Sequence, residues 1–319
     1  MDFEKQNDAE FQYNQGCNFY YGKNGIPKDY KEAIKRFKLS AEQGYIDAQN
    51  KLGYCYLTGK GVAQNYKKAV YWFELASNQG DEKSAYNLGL CYANGRGVKQ
   101  DYKKAVEFYK FSAEKGYISA QHNLGLCYYN GNGVNQDYAQ AVKWFKLSAE
   151  QGDADSQFKL GYSYFYGLGV QKDFKQAMKW YELSAGQGNI DSQYNLGLCY
   201  AKGIGVNQDY EQAVKWFKLS AEQGDPYAQF KLGLCYDFGN GVEQDSEQAV
   251  KWYKLSAEQG DADAQYNLGL CYYNGDGVTK NHEEALKWFK LSAEQGDESA
   301  EKFLSQYNLK NSKKDEIKK

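Results

Sequence analysis

Histidine and proline are almost missing from this 319-residue chain, with two of each. His122 and His282 stand in different contexts, which argues against a His-based metal site or a Ser-His-Asp arrangement, and so against hydrolysis. No run approaches the ~18 apolar residues of a membrane span, and Met1-Asp-Phe-Glu-Lys-Gln-Asn-Asp has no apolar core of a leader. Both features argue against membrane insertion and export, and for the cytoplasm. Charge of one sign is also lacking: 39 Lys and Arg against 41 Asp and Glu leave −2, which argues against nucleic acid and anionic lipid as partners.

Glycine, by contrast, recurs on a fixed beat. Gly16, Gly53, Gly89, Gly125, Gly161, Gly197, Gly233 and Gly269 are spaced 36 residues apart after an initial 37. A second glycine follows six residues later and a third two residues after that, with one extra residue between Gly22 and Gly25 in the first copy. Such a period signals a solenoid whose units bury their apolar faces by stacking. Length alone suggests two domains, but the repeat phase never resets, so one continuous array is expected. Its divisions are a short extension at 1–7, repeats at 8–44, 45–80, 81–116, 117–152, 153–188, 189–224, 225–260 and 261–296, a capping helix at 297–309 and a Lys-rich disordered tail at 310–319.

Each repeat reads as two helices. The first ends where Gly-x-Gly begins, and helix termination accounts for those glycines. Asp29, Asn65, Asp101, Asp137, Asp173, Asp209, Asp245 and Asn281 are N-caps for the second helix, and Glu32, Gln140, Gln176, Gln212, Gln248 and Glu284 complete capping boxes. Pro226 follows Asp225 at the first helical position, where a missing N–H costs nothing. Cys55, Cys91, Cys127, Cys199, Cys235 and Cys271 share one repeat position, filled by Ser163 in the fifth copy. Neighbouring units lie on the order of 10 Å apart, beyond the ~7 Å disulfide limit, so these read as buried, reduced side chains.

The run Ala-x-x-x-Leu-Gly-x-x-Tyr-x-x-Gly-x-Gly-Val-x-x-Asp-x-x-x-Ala-x-x-Trp-x-x-x-Ala-x-x-Gly, as in residues 264–296, resembles the Sel1-like repeat, a relative of the tetratricopeptide repeat. The resemblance implies an all-α fold: an α/α solenoid coiled as a right-handed superhelix, with first helices lining the concave side. It also implies a non-catalytic scaffold or adaptor that holds another protein or peptide, with no cofactor, metal, nucleic acid or membrane. A cysteine-rich branch of the family is credited with β-lactam-related, cell-wall activity. That branch carries two cysteines per repeat where this chain carries one.

Function is then sought where repeats differ. Positions three residues before and four or five after the first glycine carry Tyr86, His122, Tyr129, Phe158, Phe165, Tyr166, Tyr194, Phe230, Phe238, Tyr266 and Tyr273, and Tyr162 adds to the fifth copy. The expectation is an aromatic-lined groove, edged by Glu10, Asp47, Asp155, Asp191 and Asp263, that docks a peptide across repeats four to six around Phe165 and Tyr166. The alternatives left open are packing of these rings on the next unit, and an immunity-type or structural role of the convex second helices.

Overall fold

The computed structural model describes backbone for residues 3–317 and side chains for 8–308. The described residues form seventeen helices and no strand, an all-α solenoid of eight tandem repeats. In order they are α1 Phe3–Tyr21, α2 Tyr30–Glu42, α3 Ile46–Thr58, α4 Tyr66–Asn78, α5 Glu82–Asn94, α6 Tyr102–Glu114, α7 Ile118–Asn130, α8 Tyr138–Glu150 and α9 Ala154–Tyr166. There follow α10 Phe174–Gly186, α11 Ile190–Lys202, α12 Tyr210–Glu222, α13 Pro226–Phe238, α14 Ser246–Glu258, α15 Ala262–Asn274, α16 His282–Glu294 and α17 Glu298–Ile317. Odd helices are the first of each repeat. The chain divides into two compact units, one running to Ser163 and including Gly167–Gln171, the other taking Tyr164–Tyr166 and the chain from Lys172 on.

The three glycines have three different jobs. The first lies inside a helix, and a Cβ there would sit 2.6 Å from the ring of Phe37 at Gly16 or of Phe145 at Gly125, so it lets a second-helix ring press on first-helix backbone. The second is the left-handed C-cap, as at Gly59 with φ 75°. At the third, a Cβ on Gly61 would meet the Tyr30 carbonyl oxygen at 2.7 Å, so each loop after the first is seated on the second helix of the preceding repeat, while Gly25 of the first copy has nothing within 4 Å. Termination thus explains one glycine of three.

The N-caps form as the sequence predicts, with Asp137 Oδ1 accepting from the Gln140 amide at 3.0 Å. The boxes do not close as expected. Each N-cap amide already donates to a first-helix carbonyl, Phe19 for Asp29 and a tyrosine in the other copies, as Asp137 does to Tyr128 at 2.9 Å, leaving no donor for the third-position side chain. Two further clamps recur. Gln121 donates from Nε2 to the Ala113 carbonyl at 3.2 Å and accepts from Gln151 Nε2 at 2.8 Å, tying three consecutive helices, and Gln49, Gln193, Gln229 and Gln265 do the same. Second-helix serines such as Ser256 donate to the first turn of their own repeat, here the Pro226 carbonyl at 2.8 Å.

Both chain ends depart from the expected divisions. Helix α1 begins at Phe3, inside the predicted extension, and α17 runs to Ile317 through the predicted disordered tail. The latter segment holds Lys, Asp, Glu and Ile without Gly or Pro, so nothing in it breaks a helix. Met1, Asp2, Lys318 and Lys319 lie outside the described residues.

Candidate interaction surface

A residue three before the first glycine and one four after it are seven apart, two helical turns, and share a face. That face meets neighbouring helices. Tyr86 lies 5.9 Å from Tyr109 and 5.2 Å from Tyr117 of the next repeat, His122 5.9 Å from Phe145, Tyr194 6.1 Å from Phe217 and 6.2 Å from Tyr227, and Tyr266 5.6 Å from Phe289. Tyr129 packs on Tyr138 and Phe145, Phe165 on Phe174 and Tyr181, and Tyr273 on His282 and Phe303. Phe158 and Tyr162 contact each other at 6.0 Å. Phe230, 7% exposed, belongs to a core cluster with Tyr253 and leaves the candidate set. For most of these rings, packing between helices wins over groove lining. The set also divides between the units, with Tyr86, His122, Tyr129, Phe158 and Tyr162 in the first and the others in the second.

One residue further round, about 100°, the face turns to water. Positions six and two before the first glycine, and one and five after it, form a stripe that is Asp263, Asn267, Leu270 and Asn274 on α15. On α13 the same stripe reads Tyr227, Lys231, Leu234 and Phe238, and Tyr227 and Phe238 are 60% and 67% exposed. Tyr166, 53% exposed, holds the equivalent of Phe238 on α9. In the first unit Tyr54 and Tyr21 are exposed, with Lys51 Nζ donating to Tyr21 Oη at 2.7 Å and lying 4.1 Å from the centre of the Tyr20 ring. Sequence reasoning missed Tyr54 and Tyr227. The signal was available in the i, i+4, i+7, i+11 stripe through Lys51, Lys159 and Lys231, where the other repeats place Asn.

The structure does bring a histidine, an aspartate and a serine together, against the expectation from two histidines. His122 Nδ1 lies 2.8 Å from Ser156 Oγ and 3.3 Å from Asp153 Oδ2. Both partners meet the same ring nitrogen, Ser156 is fully buried, and Asp153 is the N-cap of α9, taking the Ser156 amide at 2.8 Å. Asn50, Asp81 and Ser84 repeat this geometry without an imidazole, so the cluster is a clamp between repeats. Burial pushes the Asp153 carboxyl up, but hydrogen bonds from His122 and Ser156 outweigh that and hold it at about 2. A depressed carboxylate pKa contributes stability above the unfolded value near 3.9 that is lost as pH falls toward 2. Denaturant unfolding at pH 5 and pH 2.5 should show an acid loss larger than that of Asp153→Asn by on the order of 1–2 kcal/mol. Equal losses would mean the clamp carries no charge-dependent stability.

The thiols are free and the six in phase are buried. Burial pushes Cys127 up to about 11 and Cys271 to about 12, which disfavours the reactive thiolate. Among the described residues no group of three His, Cys, Asp or Glu side chains is placed to hold a metal ion, and no helix is long and apolar enough to cross a membrane.

Helix pairs joined by recurring clamps, with variation concentrated on one exposed stripe, define a helical-repeat protein. The chain belongs to the Sel1 repeat family, whose model matches residues 9–45, 46–81, 83–117, 118–153, 154–189, 190–225, 226–261 and 262–297. Sel1 repeat proteins are generally protein-interaction scaffolds and generally not enzymes. The chain is 39% identical to a protective antigen of uropathogenic Escherichia coli strains that displays an SLR fold, with a TM-score of 0.91 over 97% of this chain and 68% of that one. It is 32% identical to a Sel1 repeat protein from Oxalobacter formigenes, with a TM-score of 0.72 over 94% of this chain and 86% of that one. No curated protein matches it.

Proposed function

We propose that the chain is a non-catalytic adaptor that receives a segment of a partner protein on the first-helix face of its second unit, centred on Tyr227 and Phe238. The observation that carries this is the pair of largely exposed rings eleven residues apart on one face of α13, where α11 and α15 carry Asp191, Lys202, Asp263 and Asn274 at those positions. Large rings in water within a polar surround are the makings of an interface hot spot. Lys231 between them supplies a charge for orientation.

This reading moves the centre away from Phe165, whose ring is half-buried against Phe174 and Tyr181, so that replacing it would disturb packing as well as binding. Tyr227→Ala/Phe238→Ala lessens that difficulty, since both rings stand mainly in water and Tyr227 keeps one ring contact, to Tyr194 at 6.2 Å. With an unchanged thermal melt, the double variant should bind the partner captured by the wild type at least about 30-fold more weakly, from about 1 kcal/mol or more per ring. Undiminished affinity would overturn the placement.

The exposed second-helix face carries one leucine per repeat in most copies, including Leu147, Leu219 and Leu255, beside Lys–Glu pairs such as Lys254–Glu258 at 3.9 Å. That constancy suits a solvated support rather than a selective surface. Seven unpaired cysteines suit a reducing compartment, so we place the chain in the cytoplasm. The similar E. coli protein is a protective antigen, and the outside of the cell is the competing location.

A further inference from the structure

The stretches from each C-cap glycine to the third residue of the next helix line up as a ridge within each unit. Gly61 seats on Tyr30 and Gly97 on Tyr66 in the first unit, and Gly241 on Tyr210 and Gly277 on Ser246 in the second. Charge is segregated along these ridges. Residues 22–32, 59–68 and 95–104 hold ten Lys and Arg against three carboxylates, and residues 203–212, 239–248 and 275–284 hold eight carboxylates against one lysine.

The three carboxylates of the basic ridge are already engaged. Asp29 and Asp101 are N-caps, and Glu32 pairs with Arg36 at 2.8 Å. The cations, among them Lys60, Lys67, Lys68, Arg96, Lys103 and Lys104, are exposed, and among the described residues none makes an ion pair within 4.0 Å. Four of these lysines sit in the first turns of α4 and α6, which contain no acid. There the helix dipole disfavours a cation by about 0.3–1 kcal/mol each, and what offsets it is limited to ring contacts such as Lys68 Nζ 5.4 Å from the Tyr56 ring and Lys104 Nζ 5.2 Å from the Tyr92 ring. Helices α12, α14 and α16 follow the opposite rule, with Glu211, Glu247, Glu283 and Glu284 in their first turns.

We infer that the basic ridge of the first unit binds the acidic ridge of the second unit of another copy, so that the chain self-associates through complementary charge. Both ridges are built from the same repeat, so their charge clusters recur at the same rise and three clusters meet three in register. An unrelated acidic segment has no such match. This surface is separate from the first-helix stripe, so either proposal stands if the other fails.

Sedimentation velocity on the full chain tests it. The wild type should sediment as an assembly at about 0.02 M ionic strength and as a monomer at about 0.5 M, where surface charges are screened within a few ångströms. Lys67→Glu/Lys68→Glu/Lys103→Glu/Lys104→Glu should be monomeric at low salt, as should Glu243→Lys/Glu247→Lys/Glu283→Lys/Glu284→Lys, each with unchanged helical circular dichroism. Each retains one ridge, so their equimolar mixture should form a 1:1 complex at low salt. A wild type that stays monomeric at low salt, or a mixture that stays unassociated, overturns the inference. If the monomeric wild type binds a polyglutamate peptide and the lysine variant does not, the ridge serves a different acidic partner and self-association is likewise overturned.

Discussion

Gly133→Ala is expected to destabilise the first unit by about 3 kcal/mol, far more than most single-methyl additions. The glycine has φ +76°, where an L side chain is strained, and its added Cβ would run into the Tyr102 carbonyl and the Lys103 amide at the start of α6. Backbone held by a helix cannot swing away as a side-chain tip would. Two other glycines separate the causes. Gly152 has φ +97° but open space around it, so Gly152→Ala should cost only the conformational part, about 1 kcal/mol. Gly186 is helical with nothing within 4 Å, and Gly186→Ala should stabilise by about 0.5–1 kcal/mol. Thermal melts should therefore rank Gly186→Ala above the wild type, Gly152→Ala slightly below and Gly133→Ala well below. If Gly133→Ala melts with Gly152→Ala, the loop is not seated on the preceding helix.

Phe145→Ala should cost about 3–5 kcal/mol, since the ring is fully buried between Gly125, His122 and Tyr129 and its loss opens a cavity. Gly125→Ala alone should also destabilise, because its Cβ would lie 2.6 Å from that ring. Together they should not add. With the ring gone the new methyl enters free space, so the double variant should be more stable than the sum of the singles by on the order of 1–3 kcal/mol. Additive losses would show that glycine and ring do not share one contact.

The helix pairs, the caps and the buried cysteines were legible because repetition marks what every unit needs. Asp137 had to cap a helix once Gly131 had ended the helix before it. The stripe was harder to read, since +4 and +5 are neighbours in sequence but about 100° apart on a helix. Tyr129 and Phe165 therefore looked like groove residues while packing inward, and Phe230 joined the core. Tyr227 escaped notice because most first helices carry an acid or serine there. The Gln121–Gln151 link and the His122–Asp153 clamp join residues about thirty apart, a pairing that only the stacking of repeats creates.

Photo-crosslinking tests the central claim, that a partner protein is held by the exposed first-helix stripe of the second unit. A photoreactive phenylalanine analogue placed singly at Tyr227, Phe238, Lys251 or Leu255 in cells should give adducts with a second protein at positions 227 and 238 and none at 251 and 255. Adducts confined to 251 and 255 would put the partner on the second helices and contradict the account.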